Sequence, residues 1–326
     1  MLMGLCLRKW QMSSKKLVAV ALIACSLSSG QAYADTHIDT GSSDAPALEL
    51  LHNMGEALSV TSYRGIYTHE HSGNIDSIQV EHGITEQLQA ERLQHLSGFN
   101  KAIIQRSDTG LCSEIDPETS NLPRSDDLLD EHYRIQFLGE DKVAGRKAFV
   151  VNATPRDEYR HGFRLAVDAE TFMPLMMMII QIENSRVLDR FQFVSFEPVI
   201  LSENDELDEI QPEPNDILLM SGCVEAVDLA RWRLGWVPNG FQLVSAKVSE
   251  STDMLAFSDG ISRFSVFVSS SQSGKTLEGE ARRGGTLVYL DKVVAAGELY
   301  QVSVVGEVPI NTARKVASAL IPLAKR

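Results

Sequence analysis

No apolar run in this sequence is long enough to cross a bilayer, which needs roughly 20 residues. The one short run, Leu17-Val18-Ala19-Val20-Ala21-Leu22-Ile23-Ala24, lies near the start. Catalytic signatures are missing too. There is no G-x-S-x-G or H-E-x-x-H, and no P-loop or G-x-G-x-x-G. Scattered carboxylates do not define a pair for glycoside chemistry, because such pairs are set by distance in space. An excess of positive charge is also lacking: the formal net charge is −14. A chain this acidic does not suit nucleic acid or anionic membrane surfaces. These absences leave a non-enzymatic binding protein as the reading, with no cofactor, no metal and no nucleic acid.

Cysteine is scarce, at four residues, and Cys6 and Cys25 fall within the first 34. That segment has Arg8, Lys9, Lys15 and Lys16, no acid, the short apolar run and then Ala32-Tyr33-Ala34. A basic start, an apolar stretch and a small-x-small site describe a secretory signal cleaved after Ala34. Leu22-Ile23-Ala24-Cys25 also fits a lipobox, so a lipid anchor at Cys25 stays open. Cleavage moves the net charge to about −18, since four basic residues and no acid are lost. Only Cys112 and Cys223 then remain. In an oxidising compartment they form either a disulfide, worth about 4–5 kcal/mol for so long a loop, or two buried free thiols.

Residues 35–46 are polar and read as a loose start. From Pro46 the positions Leu48, Leu51, Met54 and Leu58 recur at helical steps, with Asp44 as the N-cap. Strand patterns joined by short turns follow to about residue 199, an antiparallel meander. Thr85–Leu96 has a helix-like composition but is read as a strand from its place between strands. Residues 200–230 are acidic and proline-bearing and read as a linker. Residues 231–322 read as a small α+β domain: Phe241–Val248, Arg263–Val268, Thr286–Leu290 and Leu299–Val305 as strands, then a helix near Asn311.

His69-Glu70-His71 puts two histidines on one strand face, a potential metal pair. No third ligand is evident in the sequence, and the adjoining Ser72-Gly73-Asn74 turn favours two solvated histidines. All eight histidines precede residue 162, which places any pH response in the first domain.

Binding capacity concentrates in two places. Pro174-Leu175-Met176-Met177-Met178-Ile179-Ile180 is apolar on both strand faces, as in a doubly buried strand or a cavity wall. Methionine adapts to irregular apolar ligands such as acyl chains. With Phe163, Leu165, Phe191 and Phe193, the residues Met176, Met178 and Ile180 form the expected lipid-binding set. In the second domain Trp232, Arg233, Trp236, Arg282, Arg283 and Tyr289 form the expected partner surface, since Trp, Tyr and Arg dominate interfaces.

Several stretches in order resemble the RseB/MucB family over residues 48 to 322. They include Val143-Ala144-Gly145-Arg146-Lys147, Tyr159-Arg160-His161-Gly162-Phe163, Leu188-Asp189-Arg190-Phe191-Gln192-Phe193 and Trp236-Val237-Pro238-Asn239-Gly240-Phe241. Ser258-Asp259-Gly260-Ile261-Ser262-Arg263-Phe264 continues the series. Cys112 and Cys223 resemble the cysteine placement of the MucB branch. The resemblance implies a mainly antiparallel α+β fold. Its large domain (47–199) would be an unclosed barrel like that of LolA and LolB, with helices, followed by a smaller C-terminal α+β domain. It implies a periplasmic regulator that binds the periplasmic part of an RseA- or MucA-type anti-sigma factor and blocks its site-1 cleavage. Release would follow binding of lipid, lipopolysaccharide or lipoprotein acyl chains. A carrier of the LolA/LolB type is the alternative, and a homo-oligomer stays open. The acidic linker and the methionine-rich strand depart from the family pattern.

Overall fold

The computed structural model describes residues 43–85, 88–97, 102–108, 125–199, 217–221, 231–249, 251–271 and 276–323. Alternating patterns in the first half build one ten-stranded sheet. Its strands are β1 (Ser62–His71), β2 (Asn74–Ile84), β3 (Leu88–His95), β4 (Ala102–Asp108) and β5 (Tyr133–Val143). They continue with β6 (Arg146–Pro155), β7 (Gly162–Asp168), β8 (Pro174–Gln181), β9 (Arg186–Val199) and β10 (Ile217–Ser221). The order is β10-β4-β3-β2-β1-β9-β8-β7-β6-β5, so β10 and β5 are edges and the sheet is not closed. Every pairing is antiparallel except β10 on β4, which is parallel. Strand β10, at residues 217–221, lies within the stretch read as a linker and extends the sheet beside β4. Strand β3 settles the ambiguous stretch before residue 96 in favour of strand.

Helix α1 (Ala45–Val60) follows its apolar spacing, with Pro46 in the first turn. It buries Ala47, Leu50, Leu51, Met54 and Ala57, a stripe turned slightly from the expected one; Leu48 and Leu58 lie at its margin. Asp44 does not cap the helix with its side chain. Its carboxylate instead accepts the Phe137 amide at 2.9 Å, and its own amide donates to the Ile135 carbonyl, fastening α1 to β5. Helix α2 (Ser125–His132) leads into β5.

Register separates two faces of the sheet. Ile135, Ala153, Phe163 and Ile179 stand in one cross-strand row, and Val151, Leu165, Met177 and Phe191 in the next. All eight are buried, and they define the inner face. The same core includes the buried side of α1, Leu129 of α2 and Ile261 of the second domain. Each fully buried Leu or Met here contributes about 1.5–3 kcal/mol. The opposite row runs Gln136, Asn152, Arg164, Met178 and Arg190, polar apart from the methionine.

The second domain has a six-stranded antiparallel sheet ordered β12-β13-β14-β17-β16-β15. These strands are β12 (Gln242–Lys247), β13 (Thr252–Ser258), β14 (Arg263–Ser270), β15 (Gly279–Arg283), β16 (Thr286–Ala295) and β17 (Glu298–Gly306). Strands β11 (Trp232–Leu234) and β18 (Leu320–Pro322) pair beside it. Helix α3 (Ile310–Ser318) closes the core through Ala313, Val316 and Ala317, against Phe264, Val266 and Val304.

Candidate functional site

The two domains meet along a seam with two polar anchor points. The first is the tip of the β1–β2 hairpin. Ser72 and Gly73 both have positive φ, 49° and 80°, giving the two-residue turn that suits the twist of a hairpin. That tight turn fixes His69 opposite Asp76 and His71 opposite Asn74. His69 Nε2 lies 2.9 Å from Asp189 Oδ1, and its ring stacks on Phe191 with centroids 4.1 Å apart. His71 Nε2 lies 3.0 Å from Asp76 Oδ2.

The β15–β16 turn of the second domain docks on this tip. Arg283 Nη2 reaches His71 Nε2 at 2.9 Å and Asp76 Oδ2 at 3.4 Å. The Gly284 amide donates to Ser72 Oγ at 3.2 Å, and the Gly285 amide to Asp189 Oδ2 at 2.6 Å. Gly284 has φ +58°, and a Cβ there would stand 2.0 Å from Asp189 Oδ1. A side chain there would push the Asp189 carboxylate aside and weaken its contact with this turn. The reading of His69 and His71 as solvated is corrected, because His71 is only 4% exposed and both face a carboxylate. A cleft of about 360 Å³ opens beside this contact, lined from both domains by Glu70, Arg186, Arg190 and Arg282 among others.

The second anchor is Arg160. Its Nη1 donates to Asp259 Oδ2 at 2.8 Å, its Nη2 to the Asn239 carbonyl, and its Nε to Asp157 Oδ1 at 3.1 Å. The guanidinium lies over the rings of Tyr133 and Phe241, 5.4 and 5.2 Å from their centroids. Tyr133 donates its hydroxyl to Asp259 at 3.0 Å. Burial, then the Asp259 charge, keep that phenol protonated and able to donate. Burial also pushes the Asp259 carboxyl up, but Arg160, the Ser262 and Ile261 amides and Tyr133 oppose it. Four donors to one carboxyl favour the carboxylate.

Smaller contacts complete the seam. Thr312 donates its hydroxyl to the Tyr159 carbonyl at 2.8 Å. Lys315 stands 4.0 Å above the Trp236 ring and 3.0 Å from the Tyr159 hydroxyl. Trp236 meets Tyr159 edge to face at 5.1 Å. His161 is buried nearby, and desolvation, then Arg282, pull it down to about 4.

The expected lipid-binding residues divide between faces. Phe163, Leu165, Phe191 and Phe193 are buried on the inner side, which α1 covers. Met176, Met178 and Ile180 alternate with Met177 and Ile179 along β8; Met176 is buried in the same core, while Met178 and Ile180 are partly exposed. The partner set divides as well. Trp236, Arg282 and Arg283 sit at the seam, whereas Trp232 is buried in the small domain against Tyr300. Arg233 is exposed away from it, and the Tyr289 hydroxyl donates to Asp291. Cys112 and Cys223 lie outside the described residues. Arg160, Asp259 and Tyr133 were not anticipated as site residues, although Arg160 and Asp259 lie in stretches that carry the resemblance.

Comparisons with known proteins match this architecture throughout. The family model "MucB/RseB N-terminal domain" matches residues 46–210, and "MucB/RseB C-terminal domain" matches 227–321. The sigma factor AlgU regulatory protein MucB of Pseudomonas aeruginosa is 28% identical over 85% of this chain and 92% of that protein. The sigma-E factor regulatory protein RseB of Haemophilus influenzae is 25% identical over 83% and 89%. A crystal structure of MucB in complex with MucA(peri) is similar over 86% of this chain and all of that one. Its identity is 28% and its TM-score 0.65.

Proposed function

This chain belongs to the MucB/RseB family, whose two domain models span most of it, and from that premise we propose a periplasmic negative regulator of an envelope-stress sigma factor. It binds the periplasmic part of a MucA- or RseA-type anti-sigma factor and shields that segment from its first proteolytic cut. Lipid or lipopolysaccharide in the large domain prompts release. The observation that carries this reading is the likeness, over the whole length of the relative, to a MucB seated with MucA(peri). No helix among the described residues is long and apolar enough to cross a membrane, which accords with a partner that supplies the membrane link.

The geometry supports a particular form of the release step. The inner face is covered by α1 and abuts the second domain, so an acyl chain reaching Phe163, Leu165, Phe191 and Phe193 must compete with α1. Displacing α1 disturbs Tyr133, because Ser43 and Asp44 are tied to β5, and Tyr133 holds Asp259 across the seam. Binding energy in the large domain then acts on domain orientation, where a coupling of about 1–3 kcal/mol changes partner affinity 5- to 150-fold. The test is capture of the purified chain on an immobilised periplasmic segment of an anti-sigma factor, with and without lipopolysaccharide. Capture that lipopolysaccharide reverses is expected; absence of capture overturns the reading.

A further inference from the structure

We propose that His69, His71 and Asp76 form a zinc-binding site at the tip of the first domain's hairpin, and that the ion competes with Arg283 of the second domain for it. Their ligand atoms all lie within 4.8 Å of one another. Tetrahedral Zn²⁺ with ligands at about 2.0–2.1 Å brings ligand atoms to roughly 3.3 Å apart. His71 Nε2 and Asp76 Oδ2 are already 3.0 Å apart. All three residues come from one hairpin: His69 and His71 alternate on β1, and Asp76 is the cross-strand partner of His69. The set is therefore local and does not depend on the second domain. Two imidazoles and one carboxylate suit zinc and other borderline cations, while magnesium and calcium prefer oxygen ligands throughout.

A second observation points to a cation. His71 Nε2 faces both Asp76 Oδ2 and Arg283 Nη2 at hydrogen-bond distance. A neutral imidazole nitrogen is either a donor or an acceptor. As a donor it suits Asp76 and opposes Arg283; as an acceptor it suits Arg283 and opposes Asp76. In the second case the proton moves to Nδ1, which is buried and has no hydrogen-bond partner. No single proton satisfies every contact. A metal ion takes the Nε2 lone pair and the carboxylate together, with the ring proton on Nδ1 and Arg283 displaced.

The guanidinium is a permanent cation lying where the ion would sit, so the two exclude each other. Arg283 belongs to the turn whose glycine amides bind Ser72 and Asp189. By linkage, zinc weakens docking of that turn by the same factor by which docking weakens zinc. Metal occupancy and the closed seam become alternatives.

The experiment is calorimetric titration of the untagged mature chain with zinc chloride in a non-coordinating buffer, its thiols alkylated beforehand. Wild type should bind one ion, and Arg283→Gln should bind it at least about tenfold more tightly, since the competitor is gone. His71→Gln and Asp76→Asn should each lose about 10- to 100-fold or more. His69→Gln, at a more accessible position, repeats the test should His71→Gln fail to fold. X-ray scattering with zinc should show a larger particle for wild type. Arg283→Gln binding no more tightly than wild type overturns the competition. Unchanged binding in both His69→Gln and Asp76→Asn overturns the site.

Discussion

Arg160 of the first domain and Asp259 of the second lie 2.8 Å apart, and both side chains are wholly removed from solvent. A buried pair gains little over a well-packed apolar pair, but stranding one charge costs about 3–5 kcal/mol. Asp259→Leu and Arg160→Met are each expected to lower unfolding stability by that amount. The Arg160→Met/Asp259→Leu double variant is expected to recover at least half of it. Urea titration of the four proteins measures the cycle. Additive losses would show that the pair does not act as a unit.

Gly284→Ala places a methyl group against Asp189 on a backbone already at positive φ. The strained conformation alone costs about 1–3 kcal/mol. The expected result is a parted seam with both domains still folded. That means unchanged far-ultraviolet dichroism, a larger radius of gyration and faster proteolysis between the domains. Loss of secondary structure would count against it.

Burial, then Arg282, hold His161 at about 4 in the folded chain, against ~6.5 when unfolded. Between those values the unfolded chain takes up a proton that the folded one refuses. The contribution is whole above about pH 6.5 and is lost as pH falls toward 4. His132 is shifted the same way by burial, then by Arg160. His161→Gln is therefore expected to flatten the fall in stability across that window by up to about 3 kcal/mol. Urea midpoints at pH 7.5, 5.5 and 4.5 decide it, and parallel curves for wild type and variant would refute the assignment.

The two faces of β7–β9 predict unequal responses. Phe163→Ala empties an inner position that is 2% exposed and should cost about 3–5 kcal/mol. Met178→Ala, on the partly exposed side, should cost less than half as much. If an acyl chain occupies the inner face, only the first change should also weaken the response to lipopolysaccharide. Equal effects on that response would place the ligand elsewhere.

Local pattern revealed most of the architecture and little of the seam. The spacing around Leu51 and Met54 specified α1, and the turn at Ser72-Gly73 separated two strands. Strand β15 went unseen because each of its residues is exposed and carries no alternation. Strand β10 lies in a proline-bearing acidic context, and its parallel pairing with β4 needs a partner over a hundred residues away. Methionines on both faces of β8 looked alike in sequence; only register distinguishes Met177 from Met178. Arg160 and Asp259 are ordinary surface types taken singly. Their burial arises when two domains remove both from water, and no window of sequence contains that event.

Strand β10 sets a leash. It ends at Ser221, and the described part of the second domain resumes at Arg231, so the chain between these two residues can span at most about 35 Å. Once released from its anchors, the small domain stays within that radius of the sheet, at an effective concentration in the millimolar range. Re-closure is then a matter of orientation instead of encounter, and it proceeds at a rate independent of how much protein is present.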